Sequence, residues 1–493
     1  MLTRPRHPRS VVPVVFALAV AALLLANSAV SSAASAAGSL PLGAPQSATA
    51  EPPRYEAPFV TSDTATLRAT LVFPLGEYIY KSSAMGQGMP FFSMGQPPGV
   101  IAEYQAMIDL LKLSGVEVLD VRELLQEAID AARQQGTLEE VMREIFPGSA
   151  DAIVQRLDEI DADSLLFLRD DHVYMDQDDG TVAPLFPGFA SLYWARDWAA
   201  TTPKGVVIGN SRRFTRSLEN RLAKFLFTHA ARLQDFPVVF DAGAEGVNLD
   251  GGDLIVFDEN TILLGVDNRT SREAAPLLAQ RLDMDVLAVT LPSWEERTGL
   301  GRQLLHLDTT FNLVDHRTVL STPYFHEKRY ADSNPVARLL AGLGKQAEAW
   351  NAVNDADELT DDNVEYIRKT VEQMPEIGKL TRYAAGTGEE EALDDELVDV
   401  LRAQGYEVVM VGGARGAEHE TKWATERAMY ELRYQGANVV QLGPGRVIAF
   451  EHNVATNQAL RDAGIEVFTF PGEVISVRGG GPHCLLMPLV RRN

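Results

Sequence analysis

The chain holds a single cysteine, Cys484, in the run Arg478-Gly479-Gly480-Gly481-Pro482-His483-Cys484-Leu485. Lone free cysteines are most often small buried hydrophobes. A thiol set directly after three glycines and beside a histidine is built for more than packing. Glycine lets backbone approach a ligand closely. A thiolate is a strong nucleophile once nearby positive charge lowers its pKa. With one thiol, no internal disulfide can form.

Three other segments carry more polar groups than their surroundings require. They are Ser191-Leu192-Tyr193-Trp194-Ala195-Arg196-Asp197, Leu249-Asp250-Gly251-Gly252-Asp253 and Leu304-Leu305-His306-Leu307-Asp308-Thr309. Singly, each has an ordinary explanation: a surface ion pair, a turn before the apolar strand Leu254–Phe257, a structural His–Asp pair. On a strand, the His306 and Asp308 spacing puts both side chains on one face. There is no CxxC or HExxH, and His306, Asp308 and Cys484 make an unusual zinc set, so neither a metal nor a cofactor is expected. Carboxylates beside a thiol raise its pKa, which opposes nucleophilicity. A cationic ligand resolves the conflict, because two carboxylates can grip a planar guanidinium while its charge favours the thiolate. The residues therefore point to attack by Cys484 on the carbon of a small guanidino substrate.

Several elements must bring these segments together. A formal net charge of −24 argues against nucleic acid and anionic membranes as partners. Residues 1–36 read as a secretory signal, with Arg4, Arg6 and Arg9 before the apolar run Val11 to Ala26 and Ala34-Ser35-Ala36 as the cleavage site. Export to the periplasm or medium is expected, with an uncleaved N-terminal anchor as the alternative, and no later segment is apolar enough to span a membrane. Its loss removes three arginines and no acids, taking −24 to −27. Residues 37–60 read as a flexible linker and 61–493 as the catalytic domain, with helical insertions near 124–163 and 331–395. Helical patterns run into short strands at Leu110–Val121, Ala231–Phe240, Leu278–Leu291, Leu401–Val411 and Leu460–Phe470, three of them through Gly-x-Glu-Val. Five such units suggest radially repeated α/β modules, with one doubly wound sheet as the competing layout.

In these segments the chain resembles the arginine deiminases of the guanidine-modifying superfamily, which also holds amidinotransferases and dimethylarginine hydrolases. The similarity runs over most of Ser62–Arg491 and is best at Ser191–Asp197, Leu249–Thr270, His306–Asp315 and Gly436–Met487. The resemblance implies a five-module α/β propeller of pseudo-fivefold ββαβ repeats, its active site in the central channel. It implies that Cys484 forms a covalent intermediate and that His306 protonates departing ammonia and then activates water. Asp197 and Asp250 would hold the guanidinium, with Asp308 as a further acid. Arg269, Arg216 and Arg478 would surround the substrate carboxylate, and Trp194, Ser191 and Asp253 would complete the binding surface. Asp250 stands where the family commonly has Glu, Ser191 where it has Asn, and Trp194 where it has Phe. The expected reaction is arginine to citrulline and ammonia. Alternatives are amidino transfer to an amine, guanidine binding without catalysis, and a Cys-His-Asp peptidase.

Overall fold

Each Gly-x-Glu-Val junction becomes a helix end followed at once by a strand. Gly115, Gly405 and Gly464 take left-handed backbone angles (φ 78, 85 and 84°) that other residues adopt only at a cost. Asp283 does the same work at φ 51° without being a glycine. A computed structural model of the chain describes residues 55–73, 98–148, 150–166, 174–176, 178–184, 189, 191–267, 269–291, 304–322, 324–331, 333–354, 371–372, 374–415 and 421–493. The expected signal at 1–36 and the linker up to residue 54 lie outside the described residues.

The chain runs β1 (Leu67–Val72), α1 (Pro98–Leu113) and β2 (Glu117–Asp120), then α2 (Val121–Gln135), α3 (Leu138–Ile145), α4 (Ala150–Val154) and α5 (Ala162–Leu165). A small hairpin, β3 (Tyr174–Asp176) and β4 (Val182–Pro184), precedes β5 (Ala199–Thr201), β6 (Val206–Ile208), α6 (Phe214–His229) and β7 (Val238–Asp241). Next come β8 (Leu254–Asp258), β9 (Thr261–Val266), α7 (Ala274–Leu282), β10 (Asp285–Thr290), β11 (Phe311–Asp315), β12 (Thr318–Ser321) and α8 (Pro335–Asn354). The remainder is β13 (Lys379–Tyr383), β14 (Glu390–Glu396), α9 (Leu397–Ala403), β15 (Glu407–Met410), α10 (Lys422–Arg433), β16 (Val440–Gly443), β17 (Arg446–Phe450), α11 (Val454–Asp462), β18 (Glu466–Phe470) and β19 (Leu486–Arg491).

The result is a mixed α/β fold of several small sheets, and five of them share one plan. A central strand pairs antiparallel on one side and parallel on the other, the parallel partner being reached through helix. The trios are β19-β1-β2, β5-β6-β7, β8-β9-β10, β11-β12-β15 and β16-β17-β18. The five sequence junctions are the entries to the parallel strands β2, β7, β10, β15 and β18. At Ala231–Phe240 a 3-10 turn, Ala231–Leu233, stands in for the expected helix end.

The stretch near 124–163 is helical, and α2 buries Leu124, Leu125, Ala128 and Ile129 against the core. The stretch expected as a helical insertion at 331–395 holds strands toward its C-terminal end. Among its described residues α8 is helical at length, and beyond it β13 pairs antiparallel with β10 while β14 pairs with β13. The Glu390–Glu396 strand is mostly exposed, so its acids face water where a buried strand would show apolar alternation. No described helix is long and apolar enough to cross a membrane.

Candidate active site

Four short 3-10 turns carry the chemistry, each standing just before the outer antiparallel strand of a sheet. Ala195–Asp197 leads into β5, Gly251–Asp253 into β8, Leu307–Thr309 into β11 and Pro482–Leu485 into β19. The cysteine turn touches the Asp197 turn, which touches the Asp250 turn, which touches the His306 turn. The fifth sheet contributes Asn438, just ahead of β16. Side chains scattered over nearly 300 residues of sequence thus meet in one buried cluster.

Glycines allow the turns to close up. A Cβ on Gly252 would stand 2.7 Å from His306 Nδ1 and 3.0 Å from Asp197 Oδ1, and one on Gly481 would stand 2.6 Å from the Asn438 side chain. The cysteine turn is anchored from behind by Tyr104 of α1, whose buried hydroxyl donates to the Leu485 carbonyl at 2.7 Å. Trp194 lies against Gly480.

His306 does not sit on a strand. It is the extended residue before a 3-10 turn that contains Asp308, so the two side chains serve different partners. His306 Nε2 is 3.2 Å from Asp250 Oδ2, and its Nδ1 is 3.5 Å from Asp197 Oδ1. Asp308 Oδ2 is 2.8 Å from His483 Nδ1 and 3.6 Å from Cys484 Sγ.

The arginines differ most from expectation. Arg216 pairs with Asp197, and Arg269 NH1 is 3.1 Å from Asp250 Oδ2. The acids expected to hold a ligand's guanidinium thus hold the protein's own. Arg216 also faces Glu219 at 3.3 Å, and Glu219 accepts the Ser191 backbone N–H at 2.9 Å. Asp253 accepts from the Thr270 hydroxyl at 2.6 Å and from the Leu307 N–H at 3.0 Å. Both its oxygens are therefore engaged by protein donors, stapling the Asp250 turn to the His306 turn. Arg478 ends a 3-10 turn, Ser476–Arg478, and its side chain lies outside the described residues.

Burial and neighbours set the proton inventory. Cys484, His306, Asp250 and Asp308 are all at most 4% exposed. Burial first, and Asp308 second, push the Cys484 thiol up to about 12. Burial opposes charge on His306, yet Asp197, Asp250 and Asp253 outweigh it and hold the ring well above its ordinary value. Burial likewise opposes ionisation of Asp250 and Asp308, but His306 and Arg269 keep the first low, and His483 keeps the second low. Asp253 is raised well above the carboxylate range by burial and by Asp267. The resting site thus keeps one proton on sulfur, one extra on the His306 ring and one on Asp253. Asp197, Asp250 and Asp308 face Arg216, Arg269 and His306, three acidic groups against three basic ones. Among the described residues no His, Cys, Asp and Glu cluster is disposed to hold a metal ion.

Sequence reasoning missed Asn438, Glu219, Thr270 and His483 as functional groups. Asn438 and His483 had a signal, each being a polar residue wedged into an apolar or glycine-rich run.

Comparison with known proteins then adds a family. The model of the arginine deiminase family matches residues 150–491. The arginine deiminase of Metamycoplasma hominis is 23% identical over 453 residues, covering 88% of this chain and 96% of that protein. That of Listeria monocytogenes is 26% identical over 477 residues, covering 88% and 98%. Among solved structures, AgrE in ternary complex with ornithine and NAD+ aligns at a TM-score of 0.46 and 12% identity, over 86% of this chain and 40% of AgrE.

Proposed function

We propose, from the premise that this chain belongs to the arginine deiminase family, that it hydrolyses L-arginine to L-citrulline and ammonia through a covalent bond to Cys484. Membership makes it an amidine-hydrolysing enzyme, and the substrate and residue roles are our reading. The observation that carries it is the grip of Asp197 and Asp250 on guanidinium groups in the resting site, beside the only thiol. A peptide bond would give these acids no cation to bind.

The site is charge-balanced at rest, so an entering guanidinium is matched by loss of the thiol proton. The sulfur anion attacks the guanidino carbon, and the C–N bond to an amino group breaks as the His306 ring gives that nitrogen its proton. Ammonia leaves, carrying off in solution the proton that the thiol shed. Neutral His306 then takes a proton from water, the resulting hydroxide adds to the thiouronium carbon, and the C–S bond breaks. The urea-type product departs while sulfur and ring each recover a proton.

We carry forward the pseudo-fivefold propeller as the arrangement of the modules. Support comes from the shared plan of five sheets and from contacts linking them in turn: β19 to β5, β5 to the Asp250 turn, β8 to the His306 turn, β11 to β16, and β16 to β1. Export through residues 1–36 is likewise our reading, supported by their basic, apolar and small-residue order.

The test is acid-quenched mass spectrometry of the enzyme mixed with L-arginine, with Cys484→Ala as control. An alkylthiouronium adduct, L-arginine less ammonia, is expected on the Cys484 peptide and absent from the variant; a bare amidino adduct would point to amidino transfer. Turnover without an adduct would remove the covalent step. Ammonia released with or without added glycine or lysine would fit hydrolysis; no ammonia without an amine, and amidino product once glycine or lysine is added, would replace hydrolysis by amidino transfer.

A further inference from the structure

We propose that Asn438 is a positioning residue for the nucleophile, the fifth sheet's contribution to the site; this rests on Cys484 being the attacking group. Asn438 is fully buried and uses both ends of its amide. Its Oδ1 accepts the Cys484 backbone N–H at 3.2 Å, and its Nδ2 donates to the Asp308 backbone carbonyl at 3.0 Å. Its own carbonyl accepts the His483 N–H at 3.4 Å. One side chain therefore ties the cysteine turn to the turn holding the acid that stands 3.6 Å from the sulfur.

The tie is stiffened from behind. The Asp308 carbonyl accepts a second amide, Asn312 Nδ2 at 3.2 Å, and Asn312 also donates to the Ala437 carbonyl at 2.9 Å. Gln441 Nε2 in turn donates to Asn312 Oδ1 at 3.1 Å. Three buried amides thus form a line ending at the nucleophile's own N–H. Asn438 and Asn312 have both ends of their amides engaged, and buried polar groups satisfied in this way are held in one arrangement. Gly481 belongs to the same device, since any Cβ there would displace Asn438.

The role predicts a defect in chemistry rather than in binding. Asn438→Asp keeps the shape and still accepts the Cys484 N–H, but turns an acceptor toward the Asp308 carbonyl and adds charge near sulfur. Its kcat should fall by about tenfold or more, the rate worth of a lost buried hydrogen bond, while KM moves little. Iodoacetamide labelling of free Cys484, followed against pH by mass spectrometry, should shift to more alkaline pH. Asn438→Ala should lower kcat with a smaller alkaline shift, having no added charge. Equal kcat in wild type and both variants, or a kcat loss that tracks only a lowered unfolding midpoint with an unmoved labelling profile, would overturn the proposal. Labelling uses free enzyme, so it judges Asn438 even if no guanidino compound forms an adduct, the outcome that would sink the catalytic reading.

Discussion

Asp308→Asn should separate thiol acidity from turnover in opposite directions. The carboxylate lies 3.6 Å from Cys484 Sγ, and both groups are buried. At an effective dielectric of about 20, unit charges at that distance interact by about 5 kcal/mol, or about three decades in an ionisation constant. Burial is the larger cause of the raised thiol and survives the substitution, so about one decade is the smaller bound on the change. Asparagine still offers an oxygen to His483 Nδ1, which keeps the local hydrogen bonds. The pH midpoint for iodoacetamide labelling of Cys484 should therefore drop by about one or more. Labelling rate alone would understate this, because a less basic thiolate is also a weaker nucleophile. Turnover should nevertheless fall by about a hundredfold, since a cation at the reacting centre loses an acid worth a charge-assisted hydrogen bond of about 3 kcal/mol. A labelling midpoint that stays put or rises would refute the electrostatic account of the resting thiol.

Other outcomes follow from the same cluster. His306→Gln should lower kcat by about a thousandfold and abolish the alkaline limb of the pH–rate profile, which in the wild type marks loss of the ring proton well above the ordinary histidine value. Arg269→Gln leaves Asp250 buried with His306 as its remaining basic partner and should cost about 3 kcal/mol in denaturant unfolding at neutral pH. Glu219 is raised to about 7, by burial first. Its native state binds the proton more tightly than the unfolded chain, so its contribution is present below about 4.3 and lost as pH rises to about 7. Glu219→Gln, measured by thermal unfolding against pH, should flatten that decline. An unchanged slope would mean that Arg216 holds Glu219 ionised throughout.

Much of this was legible in the residues. Gly115, Gly405 and Gly464 mark helix ends because glycine takes the left-handed position without steric cost, and the β-branched residues after them favour strands. The thiol, the histidine and the acids stood out as polar groups in apolar or glycine-rich runs. The pairing of Arg216 with Asp197 was not legible, because nothing in the sequence says which side of α6 meets the Asp197 turn. Asn438 stands out as an amide in an apolar run, but its role arises from partners 46 and 130 residues away, which the sequence does not show. The acidic Glu390–Asp395 run of the edge strand mimics a solvated helix because water, not a core, receives its charged side chains.

The last sheet partner in chain order has a consequence for how activity arises. β19 supplies the strand that β1 lacks, and its Arg491 is buried against the Ala65 and Gln441 carbonyls. The nucleophile's turn is part of that closure. A nascent polypeptide short of residue 484 can gather every acid and arginine of the cluster yet remain chemically inert. Pairing of strands more than 400 residues apart is slow, so reactive sulfur reaches its acids late in folding. Pairing of β19 with β1 is itself the activating event.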